Sequence, residues 1–291
     1  MAQELIEQDP VLDVNEAKAI IRDGFSLWYQ LWSDSNQLTG LILHENDNIN
    51  ADSHVDYITE AFLRQKLAMG GELTANSVRA MLTPTVFAGC VSTGFAAYNG
   101  VSRNLASLPI VSDLDHIAPH NIPRQANSSS DVGEHKAHLA AGNIHDLLPH
   151  TPILVDHDGI SNDTIDAQLG LMVNFSEQMS LILERHGISG IQPIIFDSVD
   201  VTGKSGWEAK FELHRSAYEH RIPVVGAYDI GTRSQGFYFP YHIPNEPLLH
   251  GKINSRDVAN LNVQQLNMLL LPKLVGPIPD VPTDYARQYF A

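Results

Sequence analysis

The stretch Gly89-Cys90-Val91-Ser92-Thr93-Gly94 follows the apolar run Thr85-Val86-Phe87-Ala88, and a second apolar run, Leu108-Pro109-Ile110-Val111, ends at Asp113 and Asp115. This order reads as a strand, a glycine turn, a helix and a second strand tipped by acid. In a nucleotide-binding unit of that kind the glycines turn the backbone tightly into a helix N-terminus, whose free N–H groups and dipole attract phosphate. The acid at the end of the next strand, roughly 20 residues on, accepts ribose hydroxyls. Val91 stands at the place of the middle glycine, which lets the backbone approach the phosphates. Judged by its glycines alone, the stretch is an imperfect dinucleotide fingerprint that also suits NAD.

A second acid-tipped run, Pro193-Ile194-Ile195-Phe196-Asp197, has the form of a buried parallel strand whose functional end lies at the C-terminal edge of a sheet. The histidines His135, His138 and His145 fall in one predicted helix, but spacing alone is not coordination, and they read as solvated or satisfied side chains rather than a metal site. His157, within Asp156-His-Asp158, follows another predicted strand. The single cysteine, Cys90, rules out an intrachain disulfide and any zinc site built from paired cysteines. Inside the glycine turn it reads as a small buried residue rather than a nucleophile.

These residues are carried by alternating elements. An amphipathic helix runs from Asp13 to about Trp32, a short strand covers Leu41 to His44, and a second helix runs from Ser53 or His54 to Met69, stopped by Gly70-Gly71. Thr74 is placed to cap a short helix that ends near Leu82. After the strand–turn–strand unit, Asn121 to Ser130 is a polar loop, followed by a helix from Glu134 to Leu148 and a strand from Pro152 to Val155. A long helix capped by Asn162 or Asp163 continues to Arg185. The Asp197 strand is followed by a helix from Gly206 to His220, a buried strand from Ile222 to Ala227 and an edge strand from Gly236 to Tyr241. A last helix, Val258 to Leu271, precedes a proline-rich tail. Strands alternating with helices predict an α/β fold with a doubly wound, mostly parallel, Rossmann-like sheet and an α-rich N-terminal extension. The expected division is 1–82 for the extension, 83–253 for the nucleotide-binding unit and 254–291 for the last helix and tail.

Apolar residues make up 43% of the 291 and charged ones 18%, which suits a folded globular chain. The formal charge of −16 argues against broad nucleic-acid or anionic-membrane binding, so phosphate must be held by backbone N–H groups and a few cations. Without an apolar run of membrane-spanning length, or a basic region followed by an apolar one at the start, the chain reads as soluble and cytoplasmic.

The segment Val86 to Asp200 resembles the ThiF-like adenylyltransferases, which activate the sulfur carriers of thiamine and molybdopterin synthesis and include the adenylation domains of ubiquitin-activating enzymes. The resemblance rests on motifs in the family's order over roughly half the chain. Gly89 and Gly94 sit in the glycine loop. Asp113-Leu-Asp115 precedes Asn121-Ile-Pro-Arg124-Gln125, similar to the family's D-x-D and N-x-x-R-Q. Asp131-Val-Gly133 precedes Lys136, similar to D-x-G-x-x-K. Asp197-Ser-Val-Asp200 precedes a helix and Ile222-Pro-Val-Val225, similar to D-x-x-D and an I-P-V strand. Within the family the chain looks closest to stand-alone or nitroreductase-associated members, which carry an N-terminal helical extension and a segment similar to Pro247-Leu-Leu-His250-Gly251.

The resemblance implies ATP and Mg²⁺ as cofactors and adenylation of a carboxylate, either the C-terminus of a small carrier protein or peptide or a small acid. It places Arg124 and Lys136 on the ATP phosphates and Asp200 on Mg²⁺. Asp113 would take the ribose hydroxyls beside Asp115, Asn121 and Gln125 would orient the phosphate side, and Asp197 would help at its strand end. Gly89, Val91 and Gly94 would form the phosphate floor. It also implies a homodimer.

The chain departs from the family in two respects. Val91 and Phe95 replace small residues and crowd the loop, and no cysteine occupies the thioester or persulfide position. An active chain would therefore release or pass on an acyl-adenylate. The alternatives are a catalytically degenerate ThiF-like scaffold working through partner contacts and, further off, an NAD-dependent oxidoreductase, in which Lys136 and the Arg124-Gln125 pair have no evident job.

Overall fold

The structure is a computed structural model that describes residues 9–34, 41–42, 60, 64, 73–90, 94, 97–100, 108–125, 127–147, 153–201, 203–230, 233–251 and 255–269. Helix α1 (Val14–Asp34) starts on Asp13, whose carboxylate accepts the Asn15 N–H at 2.8 Å. Its stripe of Ala17, Ile20, Ile21, Phe25 and Trp28 is buried, as helical spacing of apolar residues requires. The short strand β1 (Leu41–Ile42) comes next, and the helix expected from Ser53 to Met69 falls mostly outside the described residues. Helix α2 (Ala75–Met81) is capped by Thr74, whose Oγ1 accepts the Ser77 N–H at 3.3 Å. Thr74→Ala is expected to cost about 1 kcal/mol, seen as a lower urea midpoint with an unchanged slope.

Strands β2 (Pro84–Ala88) and β3 (Leu108–Ser112) lead to α3 (Lys136–Leu147), β4 (Ile153–Asp156), α4 (Asn162–Glu184), β5 (Ile194–Asp197) and α5 (Lys204–Glu219). The chain continues as β6 (Val224–Ile230), β7 (Arg233–Phe239), α6 (Ser255–Asn260) and α7 (Val263–Leu269). The sheet has 7 strands in the order β1-β4-β3-β2-β5-β6-β7. Strands β4, β3, β2, β5 and β6 run parallel, while β1 and β7 close the two edges antiparallel. This is the doubly wound, mostly parallel α/β sheet that the alternating pattern predicts.

Neighbouring side chains on the central strands point to opposite faces, and each face has its own core. Val86, Ala88, Ile110, Leu154 and Ile195 pack with α1, α2, α4 and α5. Phe87, Val111, Ile153 and Val155 pack with Tyr98 and with Ala137, Ala140, Ala141 and Ile144 of α3. Two covered faces explain the near-continuous apolar strands. Helix α1 belongs to the first core, with Trp28 meeting Phe175 of α4 edge to face at 5.2 Å between centroids.

Several boundaries differ from expectation, each for a local reason. Helix α4 is capped by Ser161 rather than Asn162 or Asp163: the Thr164 N–H donates to Ser161 Oγ at 3.3 Å while the Ser161 N–H donates to Thr164 Oγ1 at 3.0 Å. The last helix is two helices, because Asn262 Oδ1 accepts the Gln265 N–H at 2.9 Å and Gln265 Oε1 accepts the Asn262 N–H at 3.0 Å. That reciprocal cap opens α7 in place of a continuation of α6. The loop expected from Asn121 to Ser130 contains the 3₁₀ turns Pro119–Arg124 and Ser129–Asp131.

Candidate nucleotide site

From β2 the chain winds one way, to β3 and β4, and from β5 the other way, to β6, so the sheet reverses its order between β2 and β5. In open α/β sheets ligands bind outside the C-terminal ends of the strands at such a switch point. Gly89, Asp113, Asp156 and Asp197 all stand at that edge. Ala88 and Asp197 are register partners, the Ser198 N–H donates to Ala88 O at 2.8 Å and the Gly89 N–H donates to Ser112 O at 2.9 Å. Gly89 has φ +78°, and a Cβ there would lie 2.5 Å from Ser198 O. The glycine therefore lets the turn after β2 cross directly over the turn after β5. Gly89→Ala is expected to cost about 1–3 kcal/mol in urea unfolding through left-handed strain and this backbone clash; an unchanged midpoint would show that the turn adapts. Gly94 is helical, whereas Val91 and Phe95 lie outside the described residues.

Asp113 is aimed back across this turn. Its Oδ2 accepts the Cys90 N–H at 3.0 Å and its Oδ1 accepts the Asp115 N–H at 3.0 Å. Burial pushes its carboxyl above the usual range, against the opposing pull of Lys136. Each oxygen keeps a lone pair for a further donor, such as a hydroxyl.

Lys136 opens α3 and is drawn to the same place by backbone pairing. The Lys136 N–H donates to Asp115 O at 2.9 Å, the Ile117 N–H to Glu134 O at 2.8 Å and the Gly133 N–H to Ile117 O at 2.8 Å, with His116 and His135 as antiparallel bridge partners. The two acid- and lysine-bearing segments are thus zipped together. The Lys136 side chain is only 13% exposed, and its Nζ donates to Asp115 Oδ2 at 2.7 Å. A cation in a first helical turn opposes the helix dipole, and Asp115 offsets that cost.

The remaining expected residues are placed less directly. Asn121 is buried, and its Oδ1 accepts the Ala118 N–H at 2.8 Å, closing its own 3₁₀ turn. Arg124 ends that turn, with its side chain outside the described atoms. Gln125 follows in extended backbone and accepts the Asn127 amide N–H at 3.2 Å. Asp131 accepts the Ser128 N–H at 2.6 Å and its hydroxyl at 2.9 Å, and these hydrogen bonds lower its pKa.

Asp197 is buried at the end of β5 and Asp200 is exposed just beyond it. Asp197 Oδ1 accepts the Val199 N–H at 3.0 Å, and its Oδ2 accepts Lys210 Nζ at 2.5 Å and faces His214 Nε2 at 3.1 Å. Burial alone would raise the Asp197 carboxyl, but Lys210 and His214 outweigh it and hold the pKa at about 2. Reading the sequence missed Lys210 and His214. The available signal is that they lie on the same stripe of α5 as the buried Trp207, Phe211 and Ala217, where polar side chains need partners. Asp156 is likewise buried, accepting Ser112 Oγ–H and the Gln168 amide, each at 2.7 Å.

His135 lies 4.8 Å from His116 and 4.4 Å from His157 between ring centroids, and His138 lies 6.3 Å from His157. Burial first, and then the neighbouring imidazoles, push the pKa of His135 down. Among the described residues no group of His, Cys, Asp and Glu is arranged to hold a metal ion. Cys90 is fully buried, with its Sγ 3.2 Å from Phe87 O and 3.5 Å from Ser112 O. Burial pushes its thiol well up, the opposite of what a nucleophile needs. No described helix is long and apolar enough to cross a membrane.

No protein-family model and no curated protein sequence matches the chain. Among solved structures it is similar to Escherichia coli tRNA N6-threonylcarbamoyladenosine dehydratase, TcdA, at 16% identity over 60% of this chain and 63% of that one, with a TM-score of 0.44. It is also similar to PaaA, at 15% identity over 82% of this chain and 72% of that one, with a TM-score of 0.43. A further match is TcdA in complex with ATP, at 16% identity over 62% of this chain and 59% of that one, with a TM-score of 0.39. The chain thus spans less than two thirds of TcdA.

Proposed function

We propose that the chain is an ATP- and Mg²⁺-dependent adenylyltransferase that activates a carboxylate. The observation that carries this reading is the convergence of Asp113, the Asp115–Lys136 pair and the Asp197–Asp200 loop on one edge of the sheet, at the switch point beside the glycine turn. In the reaction a carboxylate oxygen bonds to the α-phosphorus, the bond from that phosphorus to the bridging β-phosphate oxygen breaks, and pyrophosphate leaves. Two anions meet, so catalysis consists of positioning and of spreading negative charge.

Each residue has a task in this scheme. Asp113 accepts the ribose hydroxyls, while Lys136 turns from Asp115 to the phosphates and Arg124 joins it from the neighbouring 3₁₀ turn. The donors fit a magnesium ion, which takes one or two carboxylates together with substrate phosphates and water. Asp200 is exposed and its carboxylate supplies the hard oxygens that magnesium takes, while Asp197 accepts from Lys210, His214 and the Val199 N–H. When bound, the ion neutralises charge on the phosphates. The acceptor carboxylate belongs to a small carrier protein or peptide, or to a small acid, and the active form is a homodimer.

The test is ATP–pyrophosphate exchange across candidate acids and carriers. Exchange above background that disappears in Asp200→Ala supports the reading. Background exchange throughout favours the second reading, a nucleotide-binding or partner-binding scaffold, to which the engagement of Lys136 by Asp115 and the substitution at Val91 lend support.

A further inference from the structure

Behind the turn after β5 lies a buried polar chain that the adenylation chemistry does not use. Lys210, His214 and Asp197 are at most 2% exposed in their side chains, so each must be satisfied internally. The hydrogen bonds have one consistent direction. The Leu249 N–H reaches the Tyr241 hydroxyl oxygen at 3.1 Å, leaving the hydroxyl proton for His214 Nδ1 at 2.9 Å. His214 then carries its own proton on Nε2 and donates it to Asp197 Oδ2 at 3.1 Å. With His214 neutral, Lys210 is the cation that meets the buried Asp197 anion, and the charge of Asp200 also acts on it.

Both oxygens of Asp197 are therefore fixed, one from behind by Lys210 and His214 and one from in front by the Val199 N–H. The Ser198 N–H is held by Ala88 O. Helix α5 also lies directly against the loop, since a Cβ on Gly206 would sit 1.9 Å from Asp200 O. Asp197, α5 and β2 thus all restrain the start of the Ser198–Asp200 loop. A buried ion pair is commonly replaceable by apolar residues without loss of stability, so stability alone does not account for a network built here.

We propose that Lys210 and His214, backed by Tyr241, are positioning residues that set the Asp197–Asp200 loop so that Asp200 meets the metal of bound MgATP. This rests on the adenylation reading of the site, in which Asp200 is the metal ligand. Both act from the buried side of the loop, through Asp197 and, for the Lys210 charge, on Asp200 as well.

The test is calorimetric titration of the full chain with ATP alone and with ATP plus Mg²⁺, in wild type, Tyr241→Phe and the charge-balanced pair Asp197→Asn/Lys210→Met. Wild type is expected to bind ATP more tightly when Mg²⁺ is present. The double variant is expected to lose about tenfold of that strengthening, as for other residues that orient metal ligands, with its affinity for ATP alone unchanged. Tyr241→Phe is expected to lose a smaller part in the same direction, and its single lost hydroxyl keeps the test valid should the double variant not fold. Folded variants that retain the full wild-type strengthening overturn the inference, as do variants that lose affinity equally with and without metal. A wild-type chain that binds ATP without any strengthening by Mg²⁺ also overturns it while leaving nucleotide binding in place. A wild-type chain that binds no ATP at all overturns the adenylation reading itself and this inference with it.

Discussion

Replacing Lys136 with alanine is expected to lower ATP–pyrophosphate exchange by about 10²- to 10³-fold, the usual consequence of removing a preorganised group aimed at developing charge. The measurement uses whichever acid or carrier supports exchange by the wild-type chain. Folding should be nearly unaffected, because the partner Asp115 is 58% exposed and such a pair contributes no more than about 1 kcal/mol. The size of the kinetic effect follows from where the cation stands. With its side chain 13% exposed and its Nζ held by Asp115 Oδ2 at 2.7 Å, Lys136 is fixed in place rather than freely solvated. Lys136→Arg keeps the charge and should recover part of the rate. Exchange within about threefold of wild type in Lys136→Ala would mean that this cation does not serve the phosphates.

The largest effect on stability is expected at Lys210. Lys210→Met leaves Asp197 buried without its cation and should cost about 3–5 kcal/mol in urea unfolding, whereas Asp197→Asn/Lys210→Met should recover much of that loss. The same pair sets a pH dependence. Burial pushes the Asp197 carboxyl up, but Lys210 and His214 bring it down to about 2 in the folded chain, against about 4 unfolded. A folded value below the unfolded one stabilises the chain fully above about pH 4, by about 2–3 kcal/mol, and that contribution is lost as the pH falls toward 2. Asp113 and Asp156 are raised by burial and act in the opposite sense. Comparison of wild type with the double variant between pH 6 and pH 3 isolates the pair: the wild-type advantage should shrink as the pH falls. A constant difference across that range would contradict the ion-pair account.

Much of the site was legible in the sequence because it depends on strand ends. An apolar run tipped by acid identifies both a buried strand and its functional edge, which locates Asp113 and Asp197, and alternation with helices implies the parallel sheet. What was not legible depends on pairing between distant residues. Lys210 and His214 meet Asp197 across 13 and 17 residues of chain; their place on the apolar stripe of α5 signals that they need partners, but nothing local says which. The same is true of Lys136 and Asp115, which are 21 residues apart and are joined by the backbone bridge between His116 and His135. Helix ends differ by a residue or two where several neighbouring residue types can cap, as at Ser161-Asn162-Asp163, of which Ser161 is the cap. The split between α6 and α7 depends on the reciprocal cap of Asn262 and Gln265, which an apolar periodicity conceals.

The edge formed by Asp113, Lys136 and Asp200 is proposed to hold ATP with Mg²⁺. Calorimetric titration of the wild-type chain with ATP in the presence of Mg²⁺ tests it most directly, with Asp113→Ala as the control. A micromolar site is expected in wild type and should be lost or greatly weakened in the control. No heat of binding from a folded wild-type chain, or equal binding by both proteins, would contradict it.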